Sequence, residues 1–401
     1  MRMKRYCILL FVMFGALVGV AQSDAGIASR LVDMGLENVR VGIRDSVVYA
    51  VFEDLTYRGT YRGFGTVIEQ LSLHYPEVER FEVVALDSKV PKVCVHARRF
   101  AGRWSLDADY DVEETMAVLA KAEERGNSFG KIDVVFYPKV SLDNHRLDVL
   151  YEYAVSIAPS VETTLWRGSR ITIQPVIPLG GGNLYKNNTL RYCHIGVAGL
   201  EQEFLKGGKW SLKAAAGFIS VNFMGVHAEV GRQLTDALGV KLGIGCLGEA
   251  YADNKGYHFG TPDKLTVLAK ADYYERFSRL QVQLTAGRFV YGDYGGRLDI
   301  TRHLGDYAIG VYGILTGGEH NAGFHFAIPM MGKRQKRSGR IRLRMPEYFN
   351  WEYSMVSNFR YADENMGREY ATRADENRSA RYFQAEYIQQ NLQWYLDGMT
   401  R

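Results

Sequence analysis

Beyond its first 20 residues the chain contains no run of 18 uninterrupted apolar residues. A helical membrane protein is thereby excluded, whereas a β-barrel, whose strands carry a much weaker signal, is not. Cysteine is scarce, with four in 401 residues. Cys7 sits at the front of an apolar stretch, and a lipid anchor would need one just behind it. Cys94, Cys193 and Cys246 are odd in number and match no metal-knuckle spacing, so neither a disulfide framework nor a zinc knuckle is expected. Nor is there an excess of one charge. Arg2, Lys4 and Arg5 precede the apolar run Ile8 to Val20, and Ala21-Gln22-Ser23 follows with small residues at a cleavage-type spacing. Residues 1–23 therefore read as an export signal. Without them Lys plus Arg falls from 49 to 46, while Asp plus Glu stays at 45. That balance argues against a nucleic-acid partner.

Catalytic and cofactor signatures are equally thin. The nine histidines form no HExxH or related spacing. His320 and His325 could meet a metal only as neighbours across a turn; unrelated polar positions are the plainer reading. Gly243-Ile-Gly-Cys-Leu-Gly248 matches GxGxxG, but its glycines continue a period-two strand and no helix opens at the third one, so no dinucleotide site is expected. Gly180-Gly-Gly182 reads as a loop. No catalytic residue, cofactor or metal is assigned, and the chain is not read as an enzyme.

What is present is alternation. Residues 24–99 read as a small α/β unit. Val39 to Ile43 and Val47 to Phe52 form a hairpin around Arg44-Asp45-Ser46. Phe64, Ile68, Leu71 and Tyr75 have helical spacing, with Pro76 as the stop. Phe81 to Ala85 and Val90 to His96 are two more strands, giving ββαββ. Residues 100–130 carry the acidic run Asp107, Asp109, Asp111, Glu113 and Glu114 and read as a connector, either a solvated linker or a cap.

From 131 to 356 the polarity alternates in segments of 8 to 12 residues. Leu238, Val240, Leu242, Ile244 and Cys246 share one face. So do Leu265, Val267, Ala269, Ala271 and Tyr273, then Leu280, Val282, Leu284 and Ala286, and Trp210, Leu212, Ala214, Ala216 and Phe218. A soluble antiparallel sheet alternates too. Strand length, the export signal and aromatic residues near segment ends (Tyr151, Tyr153, Trp166, Trp210, Tyr273, Tyr291, Tyr307) favour an antiparallel transmembrane β-barrel of about 12 strands. Its interior would carry Lys213, Lys241, Glu249, Lys270, Asp272, Gln281, Gln283, Arg297, Asp299 and His303. Lys or Arg on the lipid face would cost about 2 to 4 kcal/mol at midplane. Whether these groups touch a polysaccharide or pair with one another stays open at this level. Residues 357–401 are charged and helical in spacing through Phe383, Tyr387, Ile388, Asn391, Tyr395 and Leu396, and should pack on or inside the barrel.

Several motifs point further. Lys131-Ile-Asp-Val-Val-Phe-Tyr-Pro138 is followed by Leu165-Trp-Arg-Gly-Ser-Arg-Ile-Thr-Ile-Gln-Pro-Val-Ile-Pro-Leu179. Ile300-Thr-Arg-His-Leu-Gly-Asp306 then precedes Ala322-Gly-Phe-His-Phe-Ala-Ile-Pro329. In this order the chain, over roughly residues 36 to 355, resembles the YjbH family of exopolysaccharide-associated outer-membrane proteins. The resemblance implies a barrel in the outer membrane, a periplasmic N-terminal unit, and a role in export or surface assembly of an exopolysaccharide or capsule. Partners would be outer-membrane lipid, the polysaccharide and periplasmic export proteins. The chain is shorter than longer members, which carry a second β-rich half, and no catalytic residues carry over. The competing readings are a structural anchor presenting a periplasmic interaction unit, and a barrel hydrolase.

Overall fold

The structure, a computed structural model, describes residues 22–143, 152–181, 191–204, 207–220, 222–330, 332, 334–354, 366–374 and 382–399. Among these residues it is mainly β, with two sheets and four helices. The expected export signal lies outside the described residues except for Gln22 and Ser23, which form the short strand β1.

The first sheet has the order β1-β2-β3-β4-β5-β6. After β1 come α1 (Ala25–Asp33), β2 (Glu37–Arg44) and β3 (Val47–Glu53). Asp45 and Ser46 turn β2 into β3 with φ of 49° and 59°, the left-handed pair that a tight two-residue hairpin demands. α2 (Thr60–His74) then crosses over to β4 (Arg80–Asp87), which runs parallel to β3. β5 (Val90–Phe100) and β6 (Arg103–Asp109) complete the ladder, and α3 (Glu113–Val118) follows. Residues 100–130 are therefore no simple connector: β6 extends the sheet, and α3 covers one of its faces. The period-two pattern Trp104, Leu106, Ala108 was masked to sequence reading by its acidic neighbours.

Period-two alternation divides the strands of this sheet between two cores. On one face Ala50, Phe52, Val83 and Val95 pack against Leu31 of α1 and Phe64, Ile68 and Leu71 of α2. The same core receives Ile388, Leu392 and Leu396 from α4 (Ala385–Met399). The C-terminal helix thus packs on the first sheet, not inside the large one. On the other face Tyr49, Val51, Val84 and Cys94 meet Val118 and Leu119.

The second sheet starts with β7 (Ile132–Asp143), β8 (Glu152–Thr163), β9 (Ser169–Gly181), β10 (His194–Glu203) and β11 (Trp210–Ser220). It continues through β12 (Phe223–Gln233), β13 (Leu238–Asp253), the branch strand β14 (Gly256–Phe259) and β15 (Lys264–Glu275). β16 (Leu280–Arg288), β17 (Tyr294–Leu304), β18 (Tyr307–Thr316) and β19 (Glu319–Pro329) follow. Last come β20 (Ile341–Arg344) and β21 (Tyr348–Ser354). From β7 to β19 the strands pair antiparallel with their chain neighbours, β14 aside; β21 adds to β19 antiparallel and β20 to β7 parallel. The path holds more strands than the 12 expected. Its ladder does not close on itself among the described residues. No helix among them is long and apolar enough to cross a membrane.

Candidate functional site

The large sheet is inverted relative to a water-soluble protein. Leu242, Ile244, Val311 and Leu315 are 51 to 64% exposed, whereas Thr266, Gln281, Thr301 and His303 on the opposite face are at most 7% exposed. Alternation of side chains along each strand sets this division. The apolar faces read from the sequence, Leu265 with Val267 and Leu284 among them, point outward as a set.

Across the polar face, charges of both signs meet. Lys213 lies opposite Glu229 in register, and Glu229 is 3.3 Å from Lys241. Lys270 reaches Glu369 at 2.5 Å. Asp272 accepts from Gln281 at 2.7 Å and Gln283 at 2.5 Å. His303 meets Gln281 at 3.0 Å. Arg297 donates to Asp299 at 2.7 Å and to Glu352 at 2.8 Å, with its guanidinium 4.1 Å from the centre of the Tyr312 ring.

Glu249 differs from the other residues assigned to the interior in its exposure. It is exposed and pairs with Lys264 at 2.7 Å. Glu249 keeps the face of Phe223, its partner in register, and of Lys264, but it is exposed where β13 leaves β15 for its branch β14. Tyr291 also departs from its expected girdle position, since it packs edge-on against Phe223 at 4.9 Å. Tyr151 lies outside the described residues. His320 and His325 do not meet: five positions apart, they fall on opposite faces of β19. GxGxxG lies within strand β13. Gly180 and Gly181 end β9, and Gly182 is outside the described residues.

Sequence reading missed what lies against this face, the segment 366–374. Met366 packs with Tyr312 and Ile314 of β18. Gly367 donates to Asp293, and Arg368 accepts from the Val290 amide. The Tyr370 ring lies 4.1 Å from that of His227, where the bare Cα of Gly245 leaves it room. Arg373 pairs with Glu201 at 2.5 Å and with Asp87 of the first sheet at 3.0 Å. Ala374 packs among Val135, Tyr137, Ala158 and Val176. A single stretch of chain thus lies along the polar face from β18 to β7. Glu229 could have been found by extending the period of two through β12. Glu369 and Arg373 could not, because irregular backbone has no period.

The motif residues hold the two sheets together. Asp306, in the turn between β17 and β18, takes Arg58 at 2.7 Å, Arg62 at 2.9 Å and the Tyr61 hydroxyl at 3.0 Å. Asp133 gathers Arg342 and Arg337 at the joint of β7 with β20. Arg170 reaches Asp87 at 2.5 Å. Every second turn of the large sheet faces the first sheet or α4. Gly168 donates to Ser88, Gly208 to Pro91, Gln384 to Asp236 and Gln390 to the Arg276 carbonyl.

The family models, curated proteins and solved structures compared with this chain gave no match.

Proposed function

We propose that this protein is an outer-membrane β-barrel that assists export or surface assembly of an exopolysaccharide or capsule. The observation that carries the membrane reading is the inverted dyad of the large sheet, with exposed Leu, Ile and Val outside and paired polar groups within. In water such a surface would be an extensive apolar patch; against hydrocarbon it is the required one.

Closure of the wall is part of this proposal, and the topology supports it. An unbranched antiparallel path from β7 to β21 has thirteen strands, so its first and last strands run the same way. An odd barrel must therefore close through a parallel contact, and β20 supplies one along β7. Only Met345, Pro346 and Glu347 separate β20 from β21, and the Trp351 indole of β21 donates to the Val140 carbonyl of β7 at 3.0 Å. Lipid favours such closure because an open edge would leave backbone groups without partners. The end carrying the first sheet, α4 and the shorter turns would face the periplasm, with the first sheet as its α/β domain.

The polysaccharide role rests on the resemblance to the YjbH family in the ordered motifs around Asp133, Arg170 and Asp306. Mixed charges on the inner wall suit weak, multi-site contact with a hydrated glycan. A second reading, an anchor presenting the periplasmic domain, is favoured by the ion pairing within the bore and by segment 366–374, which leave the interior occupied.

Membrane fractionation with gel mobility before and after boiling tests the barrel. A folded barrel should sediment with outer membrane and shift on heating; soluble, unshifted protein would exclude it. Loss of surface glycan on gene deletion, restored by the wild-type gene, would separate the export role from the anchor role.

A further inference from the structure

We infer that the first sheet carries a binding site for a single divalent cation of the zinc class, formed by Glu82, Cys94 and His96 with Asp109 behind the histidine. The inference is independent of the proposed membrane role. Cys94 and His96 are two apart on β5 and so share a face. Glu82 of β4 lies directly across from His96 in register. One ligand atom from each residue falls within 4.8 Å of the other two. The Cys94 sulfur is 3.9 Å from a Glu82 oxygen, which also contacts Nδ1 of His96.

The chemistry of this set is specific. Thiolate, imidazole and carboxylate are the three ligand types that zinc takes, and three protein ligands leave the fourth position to water. One thiolate and one carboxylate neutralise the ion's charge, which suits a site with Cys94 buried and the other two only partly exposed. Asp109 stands 3.3 Å from Nε2 of His96. It would hold that nitrogen as a donor and aim Nδ1 at the metal, the usual arrangement of a carboxylate behind a ligating histidine. The acidic run has a role on this view. Asp107 faces His96 in register, and Asp109 on β6, Asp111 in the turn after it and Glu113 and Glu114 on α3 follow, a field that draws cations toward the exposed edge of Glu82 and His96. Binding pushes Glu82 and His96 apart, places the ion between them and releases the thiol proton.

Cobalt(II) titration of the purified full-length chain in detergent tests the site, because a bound thiolate gives a ligand-to-cobalt charge-transfer band. One equivalent should raise the band, and zinc should displace it. Cys94→Ser, which keeps size and burial, should abolish it, whereas the double variant Cys193→Ser/Cys246→Ser should keep it. Asp109→Asn should weaken affinity by about 10- to 100-fold. Zinc should raise the melting temperature of the wild type and not of Cys94→Ser. No band in protein whose circular dichroism shows folded β structure, or a band that survives Cys94→Ser, overturns the site.

Discussion

Asp24 illustrates how one carboxylate can serve several donors. It caps α1 by accepting from the amides of Gly26 and Ile27 at 2.9 and 3.1 Å, and it also accepts from the Tyr75 hydroxyl at 2.8 Å and His74 Nε2 at 2.9 Å. Partial burial opposes its ionisation, yet these hydrogen bonds outweigh burial and hold the carboxyl below its ordinary value. A folded pKa below the unfolded one gives stability that is complete above the unfolded value, about 3.9, and fades as pH falls through the folded value. Asp24→Ala should therefore cost about 1 kcal/mol at neutral pH. The gap from wild type in urea unfolding should narrow toward pH 3. An equal gap at both pH values would remove the charge from the explanation. On β13, Ile244→Arg should cost about 2 to 4 kcal/mol if that face meets lipid, read as lost folding into vesicles. A change within about 0.5 kcal/mol would mean that the face is wet. The facing of Ile244 and Lys241 was legible because a strand's period is fixed by its backbone. The exposure of Glu249 was not, because it comes from the change of partner from β15 to β14, and no residue there announces it.

Among the elements, α2 and α4 meet at a point where only glycine fits. A Cβ on Gly65 would stand 2.3 Å from the Tyr395 ring. Gly65→Val should push α4 off the first sheet, with a loss of about 1 to 3 kcal/mol as overpacking usually costs. Amide exchange across residues 385–399 should accelerate while β3 and β4 stay protected; unchanged exchange in α4 would mean that Tyr395 swings aside freely. That α4 is a helix could be read from Tyr387, Ile388 and Leu396. Its partner could not, since an apolar stripe says that a helix face is covered and not by what. α1 escaped notice for a related reason: its apolar face of Ile27, Ala28 and Leu31 is short, and Asp24, its cap, adjoined the expected cleavage point. The strands of the large sheet lay mostly where alternation placed them. β20 did not stand out, because its four residues, Ile341–Arg344, carry two arginines whose reason is Asp133 on a distant strand.

At the scale of the whole molecule, the described parts of the C-terminal chain link the far end of the large sheet to the first sheet. β21 rises to Ser354 at the end of the wall away from the first sheet. Met366 and Gly367 lie at that same end, beside Gly317 and Asp293. Arg373 lies near the opposite end, bonded to Asp87, and α4 then joins the core of the first sheet. The chain therefore passes down the polar face and is fastened beneath it. Arg373 is the link with most at stake, because it pairs with Glu201 and shares Asp87 with Arg170. Removing one partner of a buried pair typically costs about 3 to 5 kcal/mol through the charge left behind. Arg373→Ala with Glu369→Ala should loosen the segment while leaving the outer apolar face intact. In planar bilayers the wild type should conduct little, and the double variant should open more often, with a conductance that deletion of 366–374 reproduces. If the deletion variant still shifts on heating but stays as silent as wild type, the segment does not seal the bore. The side chains of the wall must then fill it by themselves, and the anchor reading gains over export.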